Sequence, residues 1–252
     1  MAHTSNAVTK AIVTGHTRGL GAAIVDALLL RGIDVLGLSR SRRQPASNAA
    51  RKPGAFAEIE LDLSDSGALA QWLAGGSLAG FVRGAERAVL INNAGTLGPV
   101  GPSASQPPDE VARAVALNVT APLMLAGAFS AATVGLPDRR IAHVSSGAAR
   151  NAYAGWTIYC ATKAALDHHA RAASLDGEPG LRIVSLAPGV IDTDMQAQIR
   201  SIDDDRFPLR ERFVQMKQEG QLTSPEQAAG KFVDYLLSDA FGQTPTADVR
   251  SL

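Results

Sequence analysis

Short apolar runs, each stopped by glycine, proline or polar residues, alternate along the chain with longer stretches whose apolar residues recur at helical spacing. Ala11-Ile-Val-Thr14 reads as a buried strand that breaks at Gly15, and Gly21 opens an apolar-periodic helix over 22–30 that Arg31-Gly32 ends. Asp34–Ser39 is a second strand and Phe56–Leu61 a third, after which Ser64 or Asp65 caps a helix running through Leu69, Trp72 and Leu73. Ala88–Ile91 is a buried strand, 97–108 a Gly/Pro-rich loop, and 110–118 a helix with Ala, Val and Leu on one side. Ile141–Ser145 is a strand leading to an Ala-rich helix that begins near Thr157, and the strand Arg182–Ala187 stops at Pro188-Gly189. Residues 194–222 are charged and without clear period, which predicts a mobile cover over a site. Ser224-Pro225-Glu226 is a cap with proline in the first turn, starting a helix to Leu237, and Thr246–Val249 is a last edge strand.

Strands alternating with helices predict an α/β fold, a doubly wound (Rossmann-type), mainly parallel sheet with its ligand at the strands' C-terminal ends. With no internal repeat or linker visible, residues 1–252 are expected to form one domain behind a polar tail over 1–9. Lys and Arg number 24 against 24 Asp and Glu, so no global field recruits nucleic acid or an anionic membrane. The apolar runs fall short of a membrane span of about 20 residues, and the polar start carries no apolar leader. The single cysteine, Cys160, suits a reducing compartment, so a cytoplasmic location is expected; the five histidines show no zinc-ligand spacing, so no metal is expected.

Local residues must therefore carry any recognition. Gly15, Gly19 and Gly21 let backbone pass close to a diphosphate and aim helix N–H groups at it, although such a turn also simply joins strand to helix. At the end of the second strand, where an acidic residue would take a ribose 2′-hydroxyl, stand Ser39 and Arg40. Arg40 and Arg18 can converge on a 2′-phosphate, favouring NADP(H) over NAD(H), whereas Arg42 and Arg43 read as a solvated loop. Asp62 stands at a strand end, and the small residues of Asn92-Asn93-Ala94-Gly95 either admit an adenosine ribose or form a plain turn. Asn118, polar in an apolar stretch, must be hydrogen-bonded, as a structural tie or in a proton relay.

Tyr159 and Lys163, four apart, share a helix face. A phenol with an ordinary pKa of about 10 is drawn toward proton transfer by a nearby ammonium. Ser146, thirteen residues before Tyr159, can hold a polarised carbonyl oxygen; an ordinary amphipathic helix also carries such a Tyr and Lys. Tyr153 and Trp156 either line an aromatic-accepting pocket or pack in the core.

Together, Thr14-Gly15-x-x-x-Gly19-x-Gly21, Asn92-Asn93-Ala94-Gly95, Asn118, Ser146, Tyr159-x-x-x-Lys163 and Pro188-Gly189-x-x-x-Thr193 resemble the short-chain dehydrogenase/reductase family over roughly residues 10–250. Gly155-Trp156-x-x-Tyr159-Cys160-Ala161-x-Lys163 and Asp192-Thr193-Asp194-Met195-Gln196 look most like its sepiapterin reductase and bacterial benzil reductase subgroup. The resemblance implies that Tyr159 donates the proton in carbonyl reduction, Ser146 positions the carbonyl, Lys163 holds the nicotinamide ribose and lowers the tyrosine pKa, and Asn118 holds a relay water. It places Gly15, Gly19, Leu20 and Gly21 on the diphosphate, Arg18, Ser39 and Arg40 at the 2′-phosphate, and Asp62 and Leu63 at the adenine. Asn92, Ala94 and Gly95 fall beside the adenosine ribose, and Pro188, Gly189, Ile191 and Thr193 at the nicotinamide. Tyr153, Trp156, Met195 and Asp248 join Ser146 and Tyr159 on the substrate, with Asp248 matching an acidic residue that grips a pterin. The activity implied is NADPH-dependent reduction of a ketone, a vicinal dicarbonyl such as a benzil-like diketone or a sepiapterin-like pterin, by a homodimer or homotetramer. The rivals are an NADP(H)-sensing or scaffold protein of the same fold, and an alcohol dehydrogenase acting on another secondary alcohol.

Overall fold

The computed structural model describes residues 8–43 and 53–252, so most of the expected polar tail and the segment after Arg43 lie outside the described residues. Seven strands, β1 (Thr9–Thr14), β2 (Asp34–Ser39), β3 (Phe56–Glu60), β4 (Arg87–Asn92), β5 (Asp138–Val144), β6 (Leu181–Ala187) and β7 (Thr246–Asp248), form one parallel sheet in the order β3-β2-β1-β4-β5-β6-β7. Side chains alternate between its faces. Val13, Val35, Ile91 and Val184 meet α1 (Gly19–Leu30) and α9 (Pro225–Leu237) on one face. Ile12, Leu36, Leu90 and Ile183 meet α2 (Ser66–Ala74), α3 (Ser77–Val82) and, further along, α5 (Ala121–Ala132) and α6 (Thr157–Leu175) on the other. Because both faces are covered, the strands read as continuous apolar runs.

Asp65, not Ser64, caps α2, its carboxylate accepting from the Ala68 N–H at 2.9 Å, and Ser224 with Gln227 completes a capping box on α9. The helix expected over 110–118 runs further: α4 (Pro108–Val115) passes through a π turn (Ala116–Thr120) into α5. By length and composition Pro108–Ala132 would span a membrane; here one side packs in the core while Val115 and Leu123 are exposed.

One expectation is overturned. Residues 194–222 are no irregular cover but hold two helices, α7 (Asp194–Arg200), capped by Thr193, and α8 (Arg210–Gln218). Only a narrow stripe of α8, Phe213 and Met216, packs with Leu209 just before it into the aromatic cluster, so charge on the other sides hides its period in the sequence.

At the sheet edge away from the strands' C-terminal ends, Asp138 gathers three arginines from adjacent strands. It accepts from Arg87 Nε at 2.5 Å, Arg140 Nε and Nη2 at 2.8 and 2.9 Å, and Arg182 Nη2 at 2.9 Å. Arg140 is fully buried and also donates to the carbonyls of Leu236 and Ser238, fastening the end of α9 to the sheet. Burial opposes ionisation of Asp138, yet the hydrogen bonds from Arg140, Arg87 and Arg182 hold its carboxyl far below the usual carboxylate range. Asp138→Asn strands Arg140 and is expected to cost roughly 3 kcal/mol, the lower end for breaking a buried pair because Asp138 keeps some exposure. Since its folded-state pKa is depressed, this contribution is present above the unfolded value of about 4 and fades as pH falls below it. Urea melts should show the wild-type advantage at pH 7 and its narrowing under acid.

Candidate active site

A cavity of about 1290 Å³ opens along the C-terminal ends of the strands and is covered by α7 and α8. Its first half is built by the turns after β1 and β4, which clamp each other. Thr14 Oγ1 accepts the N–H groups of Asn93 and Ala94, both at 2.9 Å, while Asn93 Nδ2 donates to the carbonyls of Thr14 at 2.9 Å and Gly15 at 3.0 Å. Gly15 has φ +66°, and a Cβ on Gly21 would lie 2.1 Å from the Gly15 carbonyl oxygen, so the turn admits no side chains there. Above it, α1 begins with no side-chain cap and no acidic residue in its first turn, leaving its leading N–H groups and positive dipole end to an anion.

Gly15, Arg18, Gly19, Leu20, Gly21, Ser39, Arg40 and Leu63 line this half as expected, with Ala94 and Gly95. Asn92 does not. As the last strand residue it points into the core, donating to the Pro122 carbonyl at 3.3 Å and His143 Nδ1 at 3.1 Å, and Asn93 takes its place at the cavity. Asp62 is likewise absent from the wall, its carboxylate accepting from the N–H and hydroxyl of Ser64 at 2.9 and 2.7 Å. Arg42, exposed, pairs with Glu60 at 2.9 Å, whereas Arg43 is not the solvated loop residue expected: its Nη1 and Nη2 donate to the two carboxylate oxygens of Asp26. Arg18 reaches Asp194 at 2.7 Å, an exposed pair across the cavity mouth, and Ser39 donates to the Ser41 carbonyl. Arg40 makes no hydrogen bond or ion pair among the described residues. An uncapped helix start, a side-chain-free turn and an unpaired guanidinium fit the diphosphate and phosphate of a dinucleotide.

The second half holds the chemistry. Tyr159 and Lys163 lie one turn apart on α6, only 8% and 5% exposed, and Ser146 follows the end of β5. Burial pushes the Tyr159 phenol above its ordinary value, while a hydrogen bond with Ser146 pulls the other way. This corrects the expectation that Lys163 lowers it: the ammonium sits 5.7 Å from the centre of the tyrosine ring and donates to the Val144 carbonyl at 2.7 Å. Tyr159 is therefore a neutral phenol with a proton to give. Burial also pushes Lys163 down to about 8, opposed by the negative charge of Asp167 one further turn along α6. Asp167, missed in the sequence although it continues the four-residue spacing, accepts from Ser145 Oγ at 2.6 Å and faces Arg150 at 3.7 Å. Ser145 is thus committed, leaving Ser146 to the phenol.

Asn118 lies in the π turn with its amide fully engaged, accepting from Thr96 N–H at 2.8 Å and donating to the Thr96 carbonyl at 2.9 Å and Thr162 Oγ1 at 3.1 Å. Its side chain ties the loop after β4 to α6. Trp156 stacks on Phe207 with ring centres 4.6 Å apart and meets Tyr153, Tyr159 and Phe213 at 5.4, 5.5 and 5.5 Å. It serves as cavity wall and as core at once. Gly155, φ +80°, allows this: a Cβ there would stand 2.3 Å from the Arg206 carbonyl oxygen. Phe207 and Phe213 were not anticipated, because they come from the cover. Met195, Pro188, Gly189, Ile191 and Thr193 line the cavity as expected. Asp248 does not; it is taken by Arg250 at 2.9 and 2.7 Å, and Arg250 reaches the wall instead.

If Asp167 holds the charge on Lys163, the alkaline limb of the pH profile of turnover should fall near pH 8 and move to lower pH in Asp167→Asn, since removing the anion disfavours the ammonium. The amide still accepts from Ser145, so the fold should persist in thermal melts. An unmoved limb in kcat/KM would detach Asp167 from Lys163.

Residues 9–204 match the short chain dehydrogenase family. The chain is 33% identical to the benzil reductase ((S)-benzoin forming) of Bacillus cereus over 92% of this chain and 95% of that one. It is 34% identical to the sepiapterin reductase of Meriones unguiculatus over 91% and 92%. A solved short-chain dehydrogenase/reductase from Burkholderia vietnamiensis is 52% identical, with a TM-score of 0.69 over 97% of this chain and 98% of that one. A buried Tyr-Lys pair beside Ser146, a glycine turn under an uncapped helix and full-length likeness to these enzymes make this chain a member of the short-chain dehydrogenase/reductase family of oxidoreductases.

Proposed function

We propose that the chain is a cytoplasmic, NADPH-dependent reductase of vicinal dicarbonyls with an aromatic substituent. The observation that carries this reading is a neutral, buried Tyr159 lining, with Ser146 and Lys163, a cavity walled by Tyr153, Trp156 and Phe213. The names of the two relatives, benzil reductase and sepiapterin reductase, point the same way. Between them, the tie of Asp248 to Arg250 favours a diketone, because a pterin's N–H edge would find no free carboxylate there.

The glycine turn, the uncapped start of α1 and Arg40 would hold a nicotinamide dinucleotide, which would supply the hydride. The chain's residues do the rest. Ser146 and Tyr159 hydrogen-bond the carbonyl oxygen and polarise it; as the carbon gains the hydride, Tyr159 passes its phenol proton to the oxygen and the product leaves as a secondary alcohol. The resulting phenolate is disfavoured by burial and takes a proton back from solvent, which resets the acid. The aromatic wall excludes water and orients a flat ring by offset contacts. Tyr159→Phe should lower kcat by at least about a hundredfold while NADPH binding persists, because one general acid is worth roughly 10²–10⁴. Rates followed by NADPH absorbance, with binding by cofactor fluorescence, decide it; activity within tenfold of wild type would assign the proton elsewhere.

Arg40, the unpaired guanidinium at the end of β2, is the support for NADPH over NADH. Arg40→Asp should weaken NADPH and spare or improve NADH, since a carboxylate repels a 2′-phosphate yet accepts from a 2′-hydroxyl. The readout is the ratio of kcat/KM for the two cofactors, and an unchanged ratio would remove Arg40 from the phosphate.

A further inference from the structure

The charges lining the cavity cancel except at two places. Asp194 pairs with Arg18 and Asp192 with Lys217, while Arg250 is held by Asp248 and Lys163 by the Val144 carbonyl. Arg40 and Arg212 alone among the lining cations have no hydrogen-bond or ion-pair partner in the described residues. Arg40 belongs to the dinucleotide half. Arg212 lies on α8, in the stripe Leu209, Arg212, Phe213 and Met216 whose spacing of three and four residues turns one helix face to the cavity, and all four line it. The other three pack with the aromatic cluster, so a guanidinium stands on an otherwise apolar, substrate-facing stripe. Trp156 touches Tyr159 with one side and Phe213 with another, so α8 reaches the cavity across the aromatic wall from the phenol. The indole Nε1–H of Trp156 is buried and lacks an acceptor. This end of the cavity therefore offers unpaired donors and no free carboxylate.

We propose that the substrate is an aromatic dicarbonyl that also bears a carboxylate, remote from the reacting carbonyl, and that Arg212 selects it. The proposal rests on the reductase reading above and narrows its substrate class. A carboxylate beside Arg212 gains charge-assisted hydrogen bonds from a planar guanidinium fork that has no other partner among the described residues, and an exposed cation raises the local concentration of anionic ketones. A neutral diketone fills the aromatic wall equally well and leaves Arg212 in water, so the guanidinium contributes discrimination without affecting the proton transfer at Tyr159.

The test compares benzil with 4-carboxybenzil on wild type, Arg212→Gln, Arg212→Lys and Arg212→Glu, by NADPH absorbance for turnover and by quenching of tryptophan fluorescence for binding. Wild type should prefer the carboxylated probe. Arg212→Gln should lower its kcat/KM by about tenfold or more, chiefly through KM, and change benzil by less than about twofold, with Lys partly restoring the preference and Glu reversing it. Added salt should erode the preference in wild type and leave Arg212→Gln indifferent. Equal effects on both probes, or none on either, overturn the proposal. Charge-dependent binding at Arg212 without turnover would leave an anion site there but overturn both the substrate assignment and the reductase reading, whereas turnover of both probes with no charge dependence would overturn the proposal and keep the reductase reading; failure of wild type to bind or reduce either probe removes both.

Discussion

An ammonium buried at the floor of the cavity sets the terms for its surroundings. Removing the charge of Lys163 from water is expensive, and burial alone drives its pKa down to about 8. The neighbourhood offsets that cost with the Val144 carbonyl at the end of β5 and with Asp167 one turn further along α6. Asp167 needs partners of its own, which fixes Ser145 on it and draws Arg150 toward it from the turn after β5. With Ser145 committed, the next residue, Ser146, is left for the phenol. Ser146 and Tyr159 thus stand beside a charge whose own partners, Asp167 and the Val144 carbonyl, commit the residues around them.

The same low-dielectric setting decides the protonation of Tyr159. Neighbouring positive charge would favour a phenolate, but the tyrosine packs against Trp156 and the cover, and desolvation outweighs the hydrogen bond from Ser146. A proton donor at neutral pH needs that outcome. The aromatic cluster therefore does two things, since the rings that wall the cavity also keep the phenol protonated.

The two ends of the cavity carry different electrostatics for a structural reason. In the dinucleotide half the positive ends of backbone dipoles and Arg40 are exposed by a turn that excludes side chains. In the substrate half the lining carboxylates Asp194 and Asp192, and Asp248 behind the wall, are already answered by Arg18, Lys217 and Arg250, so the Arg212 guanidinium is left without a partner among the described residues. Far below, Asp138 and its three arginines hold β4, β5 and β6 together at the edge opposite the site, leaving the C-terminal ends free to diverge into it.

The sequence by itself determined the parallel α/β layout, because strands buried on both faces become continuous apolar runs and helices keep their 3.6-residue period. It also determined the local pieces of chemistry, the glycine turn, Ser146 and the Tyr159–Lys163 pair, since turn backbone and helix spacing are fixed within a few residues. Tertiary structure decided what depends on distant neighbours. Asn93 faces the cavity and Asn92 the core because of the pleat at one strand end and the waiting His143; Asp248 is closed off by Arg250; Phe207 and Phe213 join Trp156 only when α7 and α8 fold over it. The direction of the Tyr159 shift belongs to the same class, because desolvation is a property of everything packed around a group, and no spacing of residues along a chain contains it.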